Sequence, residues 1–342
     1  LYNLGGILEE GGKLDEAEAC YRRLLKIIPD YAQGKQNLGI ILLLKGELRE
    51  GFELYESRWE ANNLKPRFSG TPWEGQSLKS KTILLYAEQG MGDTIQFVRY
   101  LPLVKALGCK VILAVQPNLT GVLSNIECVD QVISYDTNTP FYDYHATLLS
   151  LPHILKTTLD TIPNITPYLL ADTNSINKWK SIFNNPLDFK VGLVWAGSPK
   201  NGNDKRRSFS VETLIPLLHI RGIKFFSLQM GEKSKELNLF GLNTEITDLS
   251  PELKDARDTA AAITLMDLII SVDTSVGHLS GALAHPTWLL LPFAPDWRWM
   301  LKREDTPWYP TMRLFRQPEP GDWGTVVEKI RRELTQIVNK GI

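Results

Sequence analysis

The feature that most constrains this chain is an offset of 34 residues within its first 63 positions. Asn3-Leu4-Gly5 recurs as Asn37-Leu38-Gly39, Gly12 as Gly46, Leu14 as Leu48 and Tyr21 as Tyr55. That period, with small residues at helix contacts and Gly ahead of a second helix, specifies helix–turn–helix units that stack on one another. The first copy closes on Pro29, whereas in the second Asn63 stands at the equivalent place. Such units need neighbours to bury their faces, commonly three or more, so further units are expected ahead of Leu1. An array of this kind presents a concave surface to a protein or peptide and does no chemistry itself.

Residues 64–80, "LKPRFSGTPWEGQSLKS", are rich in Pro, Gly and Ser and read as a linker, with Phe68 and Trp73 docked on a neighbouring surface. From residue 81 the pattern changes. Apolar runs at 82–87, 110–115, 131–135 and 144–149 alternate with helical stretches, one starting at about Asp93 and one after Pro117. The alternation restarts in "KVGLVWAGS" and continues through "IKFFSLQMG", "LIISVDTS" and "TWLLLPF", with helices between. Strands alternating with helices over short loops imply parallel sheets with crossover helices. The expected fold class is therefore α/β: two Rossmann-like domains, 81–185 and 186–342, preceded by an all-α repeat segment, 1–63, and the linker. Ligands of such sheets bind outside the carboxyl ends of the strands.

Charge and composition narrow the function classes. Lys and Arg number 38 against 39 Asp and Glu, a net charge of −1, so no overall basic field argues for a nucleic-acid partner. No apolar stretch approaches the ~18 residues of a membrane span. Cys20, Cys109 and Cys128 are widely spaced with no Cys-x-x-Cys pair, which argues against a zinc site or disulfide framework and makes a reducing cytoplasm the expected compartment.

Four polar clusters fall at strand ends. In "AEQGMGDT" Gly90 and Gly92 permit a tight turn, and Asp93 either caps the next helix or faces the cleft as a general base. In "WAGSPKNGNDKRRSFS" the strand ends at Ala196, Gly197 and Ser198 with accessible N–H groups, followed by a flexible basic run, Lys205, Arg206 and Arg207, suited to a diphosphate. In "SLQMG" Gln229 is placed to offer an amide to a base or ribose. In "SVDTSVGHLSGAL" Asp273, Thr274 and Ser275 form a turn at a helix N-terminus, with His278 one turn on. The orphan N–H groups and positive dipole end there favour phosphate; Asp273, itself an anion, organises the loop or bonds a sugar hydroxyl. Trp297, Trp299, Trp308 and Tyr309 read as interdomain packing, with Arg298 and Arg303 within reach of the cleft.

"GKLDEAEACYRRLLKIIPDY" resembles the tetratricopeptide repeats. "GMGDTIQFVRYLP" and "ISVDTSVGHLSGALAHPTWLLLP" together resemble the heptosyltransferase-type glycosyltransferases, with a Gly-x-Gly-Asp loop in one half and an Asp-Thr…His…Ala pattern in the other. The combination with "PDWRWMLKREDTPWYPTMRLFRQ" is similar to bacterial repeat-containing glycosyltransferases, among them flagellin-modifying enzymes. The resemblance implies a GT-B fold and metal-independent, inverting transfer from a nucleotide sugar, a UDP-sugar favoured and no cofactor needed, to a hydroxyl. By the same carry-over Asp93 matches the base, Lys205 and Arg206 face the diphosphate, and Asp273, Thr274, Ser275 and His278 match the phosphate-side loop. The repeats favour a protein acceptor. Three alternatives stay open: a heptosyltransferase-like enzyme acting on a glycan or lipid-linked acceptor, a non-catalytic repeat scaffold that senses nucleotide sugars, and a nucleotide-sugar epimerase.

Overall fold

A computed structural model describes residues 1–183 and 188–339; the domain boundary expected between 185 and 186 lies outside the described residues. The chain opens with helices α1 (Tyr2–Glu10), α2 (Leu14–Ile27), α3 (Ala32–Lys45), α4 (Leu48–Tyr55) and α5 (Arg58–Ala61). Apolar residues at helical spacing along α2, α3 and α4 bury Ala17, Tyr21, Leu24, Leu38, Leu42 and Phe52 in a shared interior. The Tyr21 hydroxyl, held in that interior, accepts from Asn37 Nδ2 at 3.0 Å.

The first parallel sheet has the order β1-β5-β2-β3-β4, with β1 (Thr71–Pro72), β2 (Thr82–Tyr86), β3 (Lys110–Val115), β4 (Gln131–Ser134) and β5 (Tyr144–Thr147). The linker thus contributes a short edge strand, Thr71 pairing with Tyr144 and Pro72 with His145. Proline is tolerated there because an edge leaves one side of the ladder without a partner. Ile83, Leu85, Val111 and Leu113 face the main core. Leu84, Tyr86, Ile112, Ala114 and Ile133 face the other way, and Phe68 and Tyr142 pack on them. Phe68 meets the Tyr86 ring at 5.0 Å, so the linker serves as the cover of this sheet face.

The second parallel sheet runs β11-β10-β9-β6-β7-β8, built from β6 (Phe189–Val194), β7 (Ile223–Ser227), β8 (Ile246–Asp248), β9 (Leu268–Val272), β10 (Thr287–Leu291) and β11 (Met312–Arg316). β6, β9 and β10 are apolar on both faces because both are covered, as parallel strands require. The helix Trp323–Asn339 lays Val326, Val327, Ile330 and Leu334 on one face. Between β6 and β7, where a helix is expected, "SVETLIPLL" forms a 3-10 turn, Val211–Leu214, and one helical turn, Ile215–Leu218; Pro216 at the start of that turn has no N–H to continue a longer helix. Among the described residues no helix is long and apolar enough to cross a membrane. Cys20, Cys109 and Cys128 are free thiols.

Two buried anchors tie the N-terminal helices to the α/β body. Arg58 sends Nε and Nη2 to the Glu88 carboxylate at 2.8 and 2.7 Å and also donates to Ser150 Oγ at 2.9 Å. Trp297 packs its ring edge-on against Phe52 at 5.4 Å and lies 6.2 Å from Trp308. The first anchor is ionic and desolvated, with 1% exposure for the Arg58 side chain and 6% for Glu88. Removing one member leaves a buried charge without its partner. Arg58→Ala is therefore expected to cost about 3–5 kcal/mol in urea unfolding. Arg22→Ala, which breaks the solvent-facing Arg22–Glu50 pair, is expected to cost under about 1 kcal/mol.

Candidate active site

Beyond β2 the chain reads Glu88-Gln89-Gly90 and enters α6 (Met91–Phe97). The helix begins two residues earlier than expected, with Gly90 at the N-cap, so Asp93 is its third residue. Asp93 Oδ2 accepts from the Gly90 N–H at 2.8 Å, the usual service of an acid in a first turn. Oδ1 does something no cap requires: it takes Nη2 of Arg298 from the other half of the chain. The Asp93 side chain keeps 23% exposure, room for a substrate hydroxyl. Gly92, expected in a tight turn, lies inside the helix instead. A Cβ there would stand 2.8 Å from His278 Cδ2, so glycine at 92 lets α6 close on the helix Ser275–Ala282.

That helix follows β9. Thr274 is its N-cap but makes no side-chain cap bond, leaving the first-turn N–H groups without that acceptor; Thr274 Oγ1 instead lies 3.1 Å from Ser271 Oγ. Ser275 opens the helix, and His278 sits buried one turn in, its Nδ1 2.8 Å from the Tyr309 hydroxyl and its Nε2 3.8 Å from Asp273 Oδ1. In a neutral imidazole one ring nitrogen accepts and the other donates.

The basic run is one helical turn, Asp204–Arg207, rather than a flexible loop. Its cations diverge. Arg206 reaches Glu10 of α1 at 2.7 Å, and Lys205 is exposed. Arg207 turns inward and donates Nη1 to the Asp273 carbonyl at 2.6 Å. Of the three, Arg207 is the one brought to the 273–275 loop. Gly197 makes this possible, since a Cβ there would overlap the Asp204 and Arg207 side chains.

Two expectations for this region are corrected. The N–H groups of Ala196 and Gly197 are not free: Ala196 donates to Gln229 Oε1 and Gly197 to Ser208 Oγ, both at 2.9 Å. Ser198 Oγ accepts weakly from the Lys200 N–H at 3.4 Å. Nor is the Gln229 amide available to a base or ribose. Its oxygen takes the N–H groups of Trp195 and Ala196, and its nitrogen donates to the carbonyls of Ala196 and Met230 at 3.1 Å. A buried amide that spends all its capacity on main chain locks the ends of β6 and β7 together.

Arg298 is the residue that sequence reasoning undervalued. It lies in the turn Trp297–Trp299, donating Nε to Gln96 Oε1 at 2.7 Å and Nη1 to Asp296 Oδ1 at 2.8 Å, in addition to the Asp93 contact. The available signal was "DWRW", a cation beside a carboxylate and between two indoles. Arg303, by contrast, pairs with Asp305.

Burial dominates the electrostatics. It pushes the Asp93 carboxyl above its ordinary range, with the Arg298 guanidinium acting against it. Burial, then the Asp296 charge, pushes Asp273 up to about 6. Burial together with Arg298, Arg99 and Arg207 drives His278 well below its ordinary value, so the ring is neutral at pH 7. The loops beyond the carboxyl ends of β2, β6, β9 and β10 thus bring together a carboxylate held by Arg298, a neutral imidazole, a helix N-terminus and the inward Arg207. That set offers a proton acceptor on one wall and anion-binding groups on the other.

This architecture is shared with solved proteins. The glycosyl transferase family 9 structure from Veillonella parvula matches 79% of this chain and 100% of its own, at 10% identity and a TM-score of 0.55. The E. coli ADP-heptose LPS heptosyltransferase II matches 76% of this chain and 99% of its own, at 11% identity and a TM-score of 0.52. The fold is the GT-B glycosyltransferase fold. In sequence, the chain is 30% identical over 320 residues to protein FlbA of Caulobacter vibrioides, covering 86% of this chain and 53% of that protein. The chain therefore spans about half the length of that relative. No protein-family model matches it.

Two shifted groups in the 273–278 segment give opposite pH slopes to stability. His278 is neutral when folded and protonates on unfolding, so its contribution is lost as pH falls below 6.5. Asp273 holds its proton in the fold up to about 6, so its contribution falls as pH rises from about 4 to 6. Urea unfolding between pH 5 and pH 6.5 should show His278→Gln tilting the profile toward greater stability at acid pH. Asp273→Asn should tilt it the other way.

Proposed function

We propose that the protein is a glycosyltransferase that moves a sugar from a nucleotide-sugar donor to a hydroxyl acceptor, with Asp93 as general base. The observation that carries this reading is the packing of α6, through Gly92 on His278, against the helix that opens at Ser275, with Asp93 bonded to Arg298 and Arg207 bonded to the Asp273 carbonyl, in a GT-B fold. The Asp93 carboxylate takes the proton of the acceptor hydroxyl as its oxygen bonds to the anomeric carbon. The bond from that carbon to the donor phosphate oxygen breaks on the far side, and its electron pair leaves with the nucleoside diphosphate. Such a single displacement inverts the anomeric centre. Arg207 and the first-turn N–H groups of Ser275–Ala282 receive the developing charge. A carboxyl raised above its ordinary value is better matched to proton transfer near neutral pH than a free aspartate.

The same reading gives the N-terminal helices, taken as tetratricopeptide repeats, the task of holding a polypeptide acceptor, with Ser or Thr hydroxyls, flagellin among them, as the reacting groups. A glycan or lipid-linked acceptor is the second reading. It is favoured by the E. coli fold neighbour, which is named as an LPS heptosyltransferase. A nucleotide-sugar panel monitored by thermal shift, with UDP-sugars and ADP-heptose included, identifies the donor through its stabilisation of the fold. Incubation with labelled donor then shows whether label reaches protein or glycan. A metal-independent reaction belongs to the proposal and requires that chelator leave the rate unchanged.

Asp93→Asn is expected to lower transfer about 10²–10⁴-fold while donor-induced stabilisation survives. Near wild-type transfer in that variant would exclude Asp93 as base. His278→Ala and Ser275→Ala should weaken donor binding instead, and unchanged donor affinity in both would remove the phosphate role of that loop.

A further inference from the structure

We propose that Arg298 is the positioning residue of Asp93. It reaches from the C-terminal half across the cleft, fixes one carboxylate oxygen and leaves the open side of the carboxylate to the acceptor hydroxyl. The inference rests on the reading of Asp93 as base, and it names a second residue on which that base depends.

The guanidinium is held from every direction. Its Nη2 meets Asp93 Oδ1, Nε meets Gln96 Oε1 at 2.7 Å, and Nη1 meets Asp296 Oδ1 at 2.8 Å. Gln96 lies three residues after Asp93, so Arg298 grips two adjacent turns of α6 and fixes its rotation as well as the carboxylate. The Arg298 main-chain N–H also donates to Asp296 Oδ1 at 3.0 Å, closing the 296–299 turn. The guanidinium carbon lies 4.3 Å from the centre of the Trp297 ring and 5.7 Å from that of Phe97. A planar fork with donors on three nitrogens fills this seat, and an ammonium does not.

The seat extends into the N-terminal helices. Trp297, the neighbour of Arg298, meets Phe52 of α4 edge-on at 5.4 Å, Tyr55 at 6.3 Å and Phe97 at 6.5 Å. The direction in which Arg298 points is therefore set by packing that involves all three parts of the chain. The helices that the proposed function assigns to acceptor binding also carry the wall behind the base.

Several charged groups bear on Asp93. Arg298 and the Gly90 N–H favour its ionised form, whereas Asp296, Glu88 and burial oppose it. The same guanidinium acts on Asp273 and on neutral His278, and the Tyr55 phenol lies beside it. Once Arg298 is gone, the opposing contributions and the single amide remain, and the Asp93 carboxyl must titrate at higher pH.

The test compares Arg298→Gln, Arg298→Lys and Phe52→Ala, each checked for folding by circular dichroism and thermal melting. Asp93 is titrated directly by ¹³C NMR of protein labelled at aspartate carboxyl carbons, its resonance assigned by its loss in Asp93→Asn. Arg298→Gln should raise the Asp93 midpoint by about 1–3 pH units, and Arg298→Lys should restore most of the wild-type value. With the donor identified in the panel, both arginine variants should lower kcat at least about tenfold while donor KM stays within about threefold. The acid limb of the kcat/KM profile should follow the NMR midpoint. Phe52→Ala, which alters neither charge, should shift both readouts in the same direction by less, and it carries the test if the arginine variants do not fold. An unmoved Asp93 midpoint in Arg298→Gln, or in Phe52→Ala should that variant stand alone, overturns the proposal, as does an unchanged kcat in variants whose parent is inactivated by Asp93→Asn. If Asp93→Asn itself transfers normally, the base reading fails, while the NMR midpoint still reports whether Arg298 governs Asp93.

Discussion

One buried guanidinium, Arg298, stands where the three parts of this chain meet, and the site depends on it. It bonds Asp93 and Gln96 of α6, bonds Asp296 of its own turn, and adjoins Trp297, whose ring packs on Phe52 of α4. Desolvating a guanidinium, and in part the two carboxylates on it, costs free energy that their attraction offsets only when geometry is good and further hydrogen bonds are made. The contact is therefore poor evidence for stability and better evidence for registration. It specifies one relative placement of the halves, the one in which α6 of the first packs on the helix Ser275–Ala282 of the second.

The same low-dielectric setting explains the protonation pattern. Three arginines, Arg99, Arg207 and Arg298, act on His278, and burial adds to them, so the imidazole stays neutral and hydrogen-bonds rather than bearing charge. Arg99 has no carboxylate within bonding distance among the described residues. It spends its donors on the carbonyls of Gln96, Pro163 and Trp308 and on the Tyr168 hydroxyl, and sits 4.5 Å from the centre of the Tyr309 ring. The positive charge near the 273–275 loop is therefore distributed through buried side chains instead of being offered by the surface run that the sequence displays. An anion entering there would meet Arg207 and the helix first turn, with the other cations acting at longer range.

The contrast shows what a sequence discloses. Periodicity is local, so the apolar runs of β2, β3, β6, β9 and β10 and the helix after Thr274 were readable to within a few residues. The polar clusters at the strand ends were readable too, because strand ends in parallel sheets are where polar residues must surface. Their division of labour was not. Gln229 looked like a recognition group, yet its amide is consumed by the main chain of β6 and β7. Lys205, Arg206 and Arg207 looked equivalent, yet a single helical turn sends Arg206 to α1 and Arg207 to Asp273. Direction around a helical turn is fixed by what packs beneath it, here the glycine at 197. Arg298 lies about two hundred residues from Asp93 in sequence, and no local pattern links them. The two-residue strand β1 was hidden for a related reason: Thr71 and Pro72 form a strand only because β5 lies beside them.

These placements bear on what the N-terminal helices contribute. A binding module on a flexible tether would raise the local concentration of an acceptor but leave its approach free. Here Arg58 is bonded to Glu88 at the end of β2 and to Ser150, and Trp297 is wedged among Phe52, Tyr55 and Phe97. Glu88 is five residues before Asp93, so the ionic anchor fixes the start of the same loop whose far end Arg298 holds. The segment between them has both ends secured by partners outside it. The N-terminal helices are consequently held at a set angle to Asp93. A change in the packing of α4 reaches the candidate base by two routes, through Arg58 and through Trp297.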